Sequence, residues 1–323
     1  MNAAVIRNVA LAATFSAILM LSIGYYWPIQ DAYHPRNFEW NGCSKIASVP
    51  QNMTILLSYD MPLPKRSSLL AIIGPSIEFS KKETSYVISF LQAGGTVLLA
   101  DDAGTGNGLL ETLNVPARFS GKPIADLLYY SKDPSFPLIT DFLPSPVSAN
   151  ITTLVLNHPS YIDIRNQSQV TELASSSSFS SLDLNGGGRP TANETVDSYP
   201  VLASATIGKG SIVLVSDPRM FSNEMIDLYD NMQIFRNILK MGQDTLFFDV
   251  SHLAKAPLTN ERMTLRNTID SIRDSTIYSR NDIYIQFLVV AVLITGFSFQ
   301  ILKKARKMNN QSLYSNFEVD LKR

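Results

Sequence analysis

The sequence predicts an α/β domain with a mainly parallel sheet flanked by helices, held between an N-terminal and a C-terminal transmembrane helix. Three observations lead to this prediction. A strand-helix-strand unit lies between Leu69 and Asp102, and a long uncharged apolar stretch stands near each end of the chain, at residues 8–29 and 283–302. Parallel strands need a crossover connection, which is usually a helix, so the unit indicates a parallel sheet.

Two apolar runs, residues 69–73 and 96–100, form the strands of this unit. Apolar side chains follow one another in both runs, which is typical of parallel strands covered on both faces. The segment between them predicts a helix: Ser80 and Glu83 form a capping box at its start, and Gly94 can take the left-handed conformation at its end.

Other patterns predict the rest of the domain. We expect a first strand at 53–58, a strand at 151–156, a β-hairpin of 202–207 and 211–216, a helix that ends at Gly242 and a last strand at 245–250. The predicted organisation is a transmembrane helix within 1–30, a linker at 31–50, the α/β domain at 51–250 with a flexible Ser- and Gly-rich insertion at 166–199, an amphipathic juxtamembrane helix at 251–282, a transmembrane helix at 283–302 and a basic tail at 303–323.

The charges that flank the apolar stretches predict the topology. A basic cluster at residues 303–307 follows the second stretch, which places the C-terminal tail in the cytoplasm by the positive-inside rule. Two spans return the chain to its starting side, so both termini are predicted to be cytoplasmic and the domain extracytoplasmic. Tyr25, Tyr26 and Trp27 fit an interfacial aromatic belt. A cleaved signal peptide is the alternative for the first stretch, but the stretch is longer than the usual apolar region and no convincing cleavage site follows it.

Composition excludes several classes of function. The chain of 323 residues has 27 basic and 28 acidic residues, so it lacks the positive charge typical of nucleic-acid-binding proteins. Its one cysteine, Cys43, rules out an intramolecular disulfide and a cysteine-based zinc site. The sequence predicts no cofactor and no metal, and the lipid bilayer is its first predicted partner.

Carboxylates follow two of the predicted strands. Asp101 and Asp102 close the strand at 96–100, and Asp217 closes the strand at 211–216. At the carboxyl edge of a sheet they can converge in one crevice, where paired carboxylates bind a divalent cation or act as acid and base. The alternative is that they end the strands and cap the following helices. His158 is a fourth catalytic candidate, with a turn residue before Pro159 as the alternative.

A glycine-rich turn after Asp102 marks a candidate ligand-binding loop, with Gly104, Gly106 and Asn107 as its candidate residues. Turns between a strand and a helix at the carboxyl edge are where parallel-sheet proteins bind ligands. The turn fails both phosphate-binding signatures, because Leu109 stands where a third glycine is needed and the Lys-Ser/Thr of a Walker motif is missing. A plain tight turn is the alternative.

Asn-X-Ser/Thr sequons mark four candidate glycosylation sites in the predicted exterior part, at Asn52, Asn150, Asn166 and Asn193. A fifth, at Asn310, falls in the predicted cytoplasmic tail. Sequons of about this number arise by chance in a chain of this composition, so their number is weak evidence for glycosylation. The predicted topology permits modification of the first four only.

The segments 94–102 and 208–217, with Asn223 and the helix that follows, resemble a class I glutamine-amidotransferase-like domain. The resemblance implies an α/β fold of the glutamine-amidotransferase or flavodoxin-like type. More closely, these segments are similar to a family of membrane-anchored prokaryotic, in particular archaeal, domains of unknown function. The resemblance covers residues 50–250 and implies a role in an envelope complex. Active amidotransferases use a Cys on a strand-to-helix elbow; here Cys43 precedes the first predicted strand and no such elbow exists, so the resemblance implies a fold without the hydrolytic machinery.

These observations predict a membrane-anchored exterior domain without catalytic activity, which binds or scaffolds components of a cell-envelope complex. Two alternatives remain open. One is a hydrolase or transferase that uses Asp101, Asp102 and Asp217 with His158. The other is an auxiliary subunit of a transporter.

Overall fold

The computed structural model describes residues 3–26, 28–60, 68–184, 195–243 and 245–255, and also residues 259, 263–266 and 268–269. The chain divides into two compact units, one of Met1–Trp27 with Pro257–Arg323 and the other of Pro28–Ala256. The second unit therefore begins earlier than the predicted domain. Residues 31–50 belong to it rather than forming a separate linker, because Cys43 and Ile46 are fully buried in its core.

The first unit starts with helix α1 (Ala3–Tyr26). Its stretch Val5–Tyr26 is long and apolar enough to cross a membrane, since 20 helical residues span about 30 Å. The predicted N-terminal span is thus confirmed as a candidate membrane helix. The predicted second span at 283–302 and the tail after it lie outside the described residues.

Arg266 holds the C-terminal end of α1. Its guanidinium group donates hydrogen bonds to the carbonyl oxygen of Tyr25, at 3.1 Å from Nε and 2.5 Å from Nη2. The last carbonyls of a helix have no partner within the helix, and a cation is favourable beside them. Residues 263–266 are themselves helical and lie inside the predicted juxtamembrane helix.

The second unit contains four described α-helices, one 3-10 turn and fourteen described strands. The helices are α2 (Ser44–Ala47), α3 (Lys81–Gln92), α4 (Asn107–Thr112) and α5 (Asn231–Met241), and the 3-10 turn is Arg219–Phe221. The strands are β1 (Asn52–Leu56), β2 (Leu69–Ile73), β3 (Thr96–Ala100), β4 (Ala117–Phe119), β5 (Ile124–Asp126), β6 (Leu138–Ile139), β7 (Leu154–Val155), β8 (Ile162–Ile164), β9 (Thr171–Ser175), β10 (Ser180–Leu182), β11 (Val196–Asp197), β12 (Pro200–Ile207), β13 (Gly210–Val215) and β14 (Thr245–Asp249).

Seven of these strands form the main sheet, in the order β1-β14-β2-β3-β13-β12-β9. The first five pair in parallel, and β12 and β9 add two antiparallel pairings at one side. An α/β domain is therefore confirmed, with a mixed sheet rather than a purely parallel one. Numbered along the chain, the five parallel strands stand in the order 1-5-2-3-4, which differs from the flavodoxin order 2-1-3-4-5.

The strands β2 and β3 form the centre of the core. Every residue of both strands is buried, as predicted for parallel strands covered on both faces. Alternate side chains point to opposite faces, so Leu70 and Ile72 pack with residues of α3 and α4, whereas Leu69 and Ile73 pack with residues of α5.

The helix α3 is built as its sequence predicts. The Ser80 hydroxyl accepts the backbone N–H of Glu83, and a carboxylate oxygen of Glu83 accepts the backbone N–H of Ser80 at 2.7 Å. Gly94 ends the segment with φ at +100°, a conformation that costs glycine little. These two signals place the helix at Lys81–Gln92.

The long connection between β3 and β13 carries three small antiparallel sheets, β11-β10-β5, β4-β8 and β6-β7. The strand predicted at 151–156 is reduced to the two residues of β7. The segment 166–199, predicted as a flexible insertion, contains β9, β10 and β11, and β9 belongs to the main sheet. Residues 185–194 of this segment lie outside the described part.

Asp126 binds two serines of the described part of the serine-rich segment, Ser177 and Ser180. This fully buried carboxylate accepts the backbone N–H groups of Leu128 and Tyr129, at 2.9 and 2.7 Å, and the hydroxyl groups of Ser177 and Ser180, at 2.6 and 3.0 Å. A buried charge is tolerated when hydrogen bonds satisfy it. The serines therefore serve as donors to a buried acceptor, a role that composition alone does not reveal.

The start of β13 tests the packing of the sheet against α3. A side chain at Gly210 would overlap the carbonyl oxygens of Gly95 and Leu91. We expect Gly210→Ala to lower the free energy of unfolding by about 1–3 kcal/mol or more, because backbone atoms cannot move aside as a flexible side chain can. Urea denaturation of the full chain in detergent micelles, followed by circular dichroism, measures this change.

Gly108 in α4 supplies the matched control. A side chain there would meet no atom within 4 Å, so Gly108→Ala is expected to leave stability unchanged or to raise it by about 0.5–1 kcal/mol. Equal midpoints for Gly210→Ala and the unmodified chain would show that the backbone of α3 and β13 has room for a methyl group at this position.

Candidate functional site

The predicted carboxylates lie at the carboxyl edge of two neighbouring strands. Asp101 and Asp102 directly follow β3, and Asp217 comes two residues after β13. The two strands pair in parallel, with Val215 beside Ala100. The structure therefore brings the three carboxylates to one place, as expected from the sequence.

Asp101 is used to hold its own loop. It is almost fully buried, and its carboxylate accepts the backbone N–H groups of Ala103 at 2.9 Å, Gly104 at 3.1 Å and Gly106 at 2.7 Å. Burial raises the pKa of Asp101, and these three N–H donors oppose the rise. The arrangement favours the alternative role for Asp101, which is to close the strand and order the turn.

The predicted ligand-binding loop has its donors directed inward. The N–H groups of Gly104 and Gly106 point to Asp101. The side-chain amide of Asn107 exchanges two hydrogen bonds with the backbone of Phe119, donating to its carbonyl at 2.9 Å and accepting its N–H at 2.8 Å. The loop therefore resembles a tight turn tied to β4, and ligand binding by these three residues stays a prediction.

Asp102 and Asp217 share a partner that sequence reasoning missed. Arg219 donates from Nη1 to Oδ2 of Asp102 at 2.6 Å, and its backbone N–H donates to Oδ1 of Asp217 at 2.8 Å. The other oxygen of Asp217 accepts the N–H of Asn157 at 2.7 Å. The sequence signal that points to Arg219 as a site residue is its position, two residues after Asp217 and close to the end of β13.

Asp217 is the most perturbed of the three carboxylates. It is fully buried, and this burial raises its pKa to about 7. The charge of Asp102 adds to the rise, while the N–H groups of Asn157 and Arg219 and the guanidinium charge oppose it. A carboxyl group with a pKa near neutrality is suited to general acid or base chemistry when a substrate can reach it.

Tyr33 covers this edge. Its ring packs on the backbone of Gly74, the residue after β2, where a side chain would overlap the phenol. Burial is the main cause that raises the pKa of Tyr33; the charge of Arg219 opposes this, and those of Asp217 and Asp102 add to it. The phenol, the guanidinium and the two carboxylates thus lie close enough to influence one another.

His158 does not join the three carboxylates through its side chain. Its ring is exposed, donates a hydrogen bond from Nδ1 to Oδ1 of Asn157 at 2.7 Å, and contacts Phe136 edge to face. Its φ of +51° fits the predicted turn before Pro159. The geometry favours this structural role, and a catalytic role stays a prediction.

Cys43 is buried and its thiol donates to the carbonyl of Phe221 at 3.4 Å. Burial raises the pKa of this thiol, which disfavours the thiolate that a nucleophile requires. The residue packs in the core with Ile46, so its surroundings are those of a structural cysteine.

A second polar cluster lies at the carboxyl end of β14 and was not predicted. His252 is almost fully buried, with Nδ1 2.7 Å from Oδ2 of Asp249 and Nε2 3.6 Å from Oε2 of Glu83. Its ring stacks on Phe79, and its carbonyl accepts the N–H of Ser76. The cluster joins β14, the turn after β2 and the start of α3, so it helps to hold these three elements together.

A separate pocket of about 520 Å³ lies at the opposite edge of the sheet, lined by residues 113–116, 168, 169, 171 and 204–207. No titratable side chain lines it. The pocket is therefore separate from Asp101 and Asp217, the carboxylates whose pKa is raised. The carboxylates are the better candidates for a catalytic site, because acid-base chemistry requires titratable groups. Among the described residues, no cluster of His, Cys, Asp and Glu is arranged to hold a metal ion.

The sequons differ in what the structure can say of them. Asn52, Asn150 and Asn166 are exposed, which glycosylation requires. Asn166 accepts hydrogen bonds from the backbone and hydroxyl of Ser168, at 3.0 and 2.7 Å. Asn193 and Asn310 lie outside the described residues.

The fold and the site define an α/β domain with a mixed sheet and an N-terminal candidate membrane helix, whose carboxyl edge holds buried carboxylates in intramolecular contacts. The chain belongs to the DUF4350 family, a domain of unknown function, whose profile matches residues 35–239.

Comparison with solved structures gives distant similarities. The mmIFT52 N-terminal domain is 19% identical, with 54% of this chain and 76% of that chain covered and a TM-score of 0.43. The exo-beta-1,4-mannosidase Op5Man5 from Opitutaceae bacterium strain TAV5 is 15% identical, with 61% and 28% covered and a TM-score of 0.31. The cytoplasmic protein STM1381 from Salmonella typhimurium LT2 is 10% identical, with 56% and 76% covered and a TM-score of 0.36. No curated protein matches the chain.

The raised pKa of Asp217 predicts an unusual dependence of stability on pH. Because the folded state raises this pKa from 3.8 to about 7, folding takes up a proton between these values, and stability falls as pH rises through them. Between pH 5 and pH 8 we expect Asp217 to remove up to about 3 kcal/mol from the free energy of unfolding.

Urea denaturation at pH 5 and pH 8 measures this loss, with Asp217→Asn as the comparison. The amide does not titrate, so the variant should lose less stability than the unmodified chain over the same interval. Identical losses in the two proteins would mean that the pKa of Asp217 is not raised by folding.

Proposed function

We propose that this protein is a membrane-anchored binding or scaffolding module of a cell-envelope complex, without catalytic activity of its own. One observation carries the proposal: the polar groups at the carboxyl edge are held by partners in the same chain. Asp101 binds three backbone N–H groups, Asp102 pairs with Arg219, and Asp217 accepts two backbone N–H groups. Groups engaged in this way maintain the fold, and the ring of Tyr33 lies over the turn beside them.

A hydrolase or transferase is the second candidate, and one observation favours it. The pKa of Asp217 is raised to about 7 by burial, which is a property of catalytic acids and bases. In this case Asp102 and Arg219 would position the substrate or stabilise charge beside Asp217. The candidate requires Tyr33 or Asn157 to move so that a substrate reaches the carboxyl group.

Two variants distinguish these functions. Asp102→Asn and Asp217→Asn are compared with the unmodified full chain in micelles, using p-nitrophenyl acetate, phosphate and glycosides as substrates. A binding module gives the same background hydrolysis in all three proteins. A folded Asp217→Asn chain that is slower by a factor of about 100 or more would identify an enzyme, because this is the usual contribution of a general acid or base. Circular dichroism checks that each variant is folded.

The proposed topology is a two-pass chain with both termini in the cytoplasm and the domain outside. It is supported by the apolar helix α1, by the uncharged stretch at 283–302 and by the basic residues that follow it. The proposed partners are the bilayer and other envelope proteins, and the exposed sequons at Asn52, Asn150 and Asn166 are compatible with an exterior location. Kinship with the prokaryotic glutamine-amidotransferase-like family, of archaeal type, is part of the same proposal and is supported by the motifs at 94–102 and 208–217.

Cysteine labelling on intact cells tests this topology. The native thiol of Cys43 is buried, so it should react little with a membrane-impermeant maleimide. Ser178 is exposed, and we expect Ser178→Cys to be labelled on intact cells. Lys307→Cys, in the predicted cytoplasmic tail, is the control and should be labelled only after permeabilisation. The reverse pattern would place the domain in the cytoplasm.

A further inference from the structure

The loop of residues 37–42, here called the aromatic loop, exposes two large aromatic side chains. Phe38 is 82% and Trp40 67% exposed. Burying such a side chain is favourable by about 1.5–3 kcal/mol, so their exposure forgoes a considerable stabilisation. Isolated exposed apolar residues are common on protein surfaces, and the construction of the loop is what makes these two unusual.

Two buried asparagines fix the backbone of the aromatic loop. The side chain of Asn37 donates to the carbonyl of Asp31 and to Oδ1 of Asn41, both at 2.9 Å, and accepts the N–H of Glu39 at 2.9 Å. The side-chain amide of Asn223 donates to the carbonyls of Asn37 at 3.0 Å and Glu39 at 2.7 Å. Both neighbours of Phe38 are therefore held in place.

Further backbone contacts fix the second half of the loop. The N–H of Glu224 donates to the carbonyl of Trp40 at 3.0 Å, and the N–H of Asn223 donates to the carbonyl of Gly42 at 2.7 Å. A side chain at Gly42 would overlap Asn37. The loop cannot turn Phe38 and Trp40 inward without losing these bonds, so their exposure is built into the fold.

Two lysines beside the aromatic loop are paired with acidic side chains, whereas the exposed carboxylate of Glu39 stands between Phe38 and Trp40 in the loop itself. Lys45 pairs with Asp227 at 2.5 Å, and Lys132 lies 3.9 Å from Glu224, whose N–H binds the carbonyl of Trp40. Lys132 belongs to a segment that exposes further apolar side chains, Leu128, Tyr129 and Tyr130. Aromatic side chains beside paired charges and one exposed carboxylate are suited to a partner that offers both apolar surface and polar groups, without strong net charge.

The position of the aromatic loop in the sequence indicates which partner this is. Only residues 27–36 separate it from α1, and a fully extended segment of this length spans about 36 Å at most. Backbone bonds such as that from Tyr33 N–H to the Asn41 carbonyl make the actual path more compact. If α1 is anchored in the bilayer, the loop therefore cannot lie farther than this from the membrane surface. Tryptophan is enriched at that interface, because its ring is apolar and its N–H is polar.

We propose that the aromatic loop inserts Phe38 and Trp40 into the headgroup region of the bilayer that anchors α1, so that the domain rests on the membrane. This inference depends on the membrane anchorage proposed above. Insertion of aromatic side chains to a depth of about 5–10 Å is sufficient for such contact. The rigid loop loses little conformational entropy on insertion, since its backbone is already ordered.

Tryptophan fluorescence tests the inference in the full chain. The protein has two tryptophans, Trp27 and Trp40, so Trp27→Phe leaves Trp40 as the only emitter. The chain is placed, one copy per disc, in phosphatidylcholine nanodiscs with or without brominated acyl chains. We expect brominated lipid to reduce the emission of Trp40, because a ring at the boundary of headgroups and acyl chains comes within reach of the bromine atoms, and Phe38→Ser in the same background to weaken the effect. Phe38 is exposed, so this variant should fold, and circular dichroism verifies it.

The reciprocal variant Trp40→Phe separates the two proposals. Its remaining Trp27 follows α1 and should be quenched by brominated lipid if the chain is anchored as proposed. Quenching of Trp27 without quenching of Trp40 would overturn the present inference and leave the anchorage intact, and loss of both would overturn the anchorage as well. Emission of Trp40 that is protected from aqueous acrylamide yet insensitive to brominated lipid would indicate a protein contact and also overturn the inference.

Discussion

The burial of β2 and β3 on both faces is the constraint on which the remaining structure depends. All residues of these two strands are inaccessible to water, so each face of the sheet must be covered along its centre. The helices α3 and α4 contribute to the cover of one face, and α5 with parts of the long β3–β13 connection covers the other. Polar side chains are thereby directed to the edges of the sheet, where Asp101, Asp217 and Asp249 follow or end buried strands.

The carboxyl edge illustrates the difference between the position of a polar group and its availability. Sequence position brings Asp101, Asp102 and Asp217 together, and the structure confirms their proximity. Asp101 nevertheless accepts three N–H groups of the loop after β3, and Asp217 accepts the N–H groups of Arg219 and Asn157. Asp102 accepts one hydrogen bond, from the guanidinium group of Arg219. The site thus contains a carboxyl group with a raised pKa, that of Asp217, which is suited to general acid or base chemistry. The hydrogen bonds of the same site stabilise the fold.

The parts of the fold that were predicted from the sequence depend on local signals. A capping box and a left-handed glycine define α3, and the glycine turn at residues 208–210 defines the hairpin of β12 and β13, because each signal involves residues within a few positions of one another. The parts that were not predicted depend on distant contacts. Tyr33 meets Gly74, and Ser177 meets Asp126, across separations that no local pattern records. Serine-rich composition therefore predicts a flexible segment, whereas in its described part Ser177 and Ser180 donate hydrogen bonds to a buried acceptor.

Tyr33 has a consequence for how the sheet edge could have been used in this family. In open α/β sheets the crevice beyond the carboxyl ends of the strands is the usual seat of small molecules. Here Tyr33, in the N-terminal segment of the second unit, places its aromatic ring at the end of β2. The ring takes up space that a bound small molecule would otherwise occupy. A residue of the same chain therefore fills this part of the crevice, and a ligand could bind there only if Tyr33 moved.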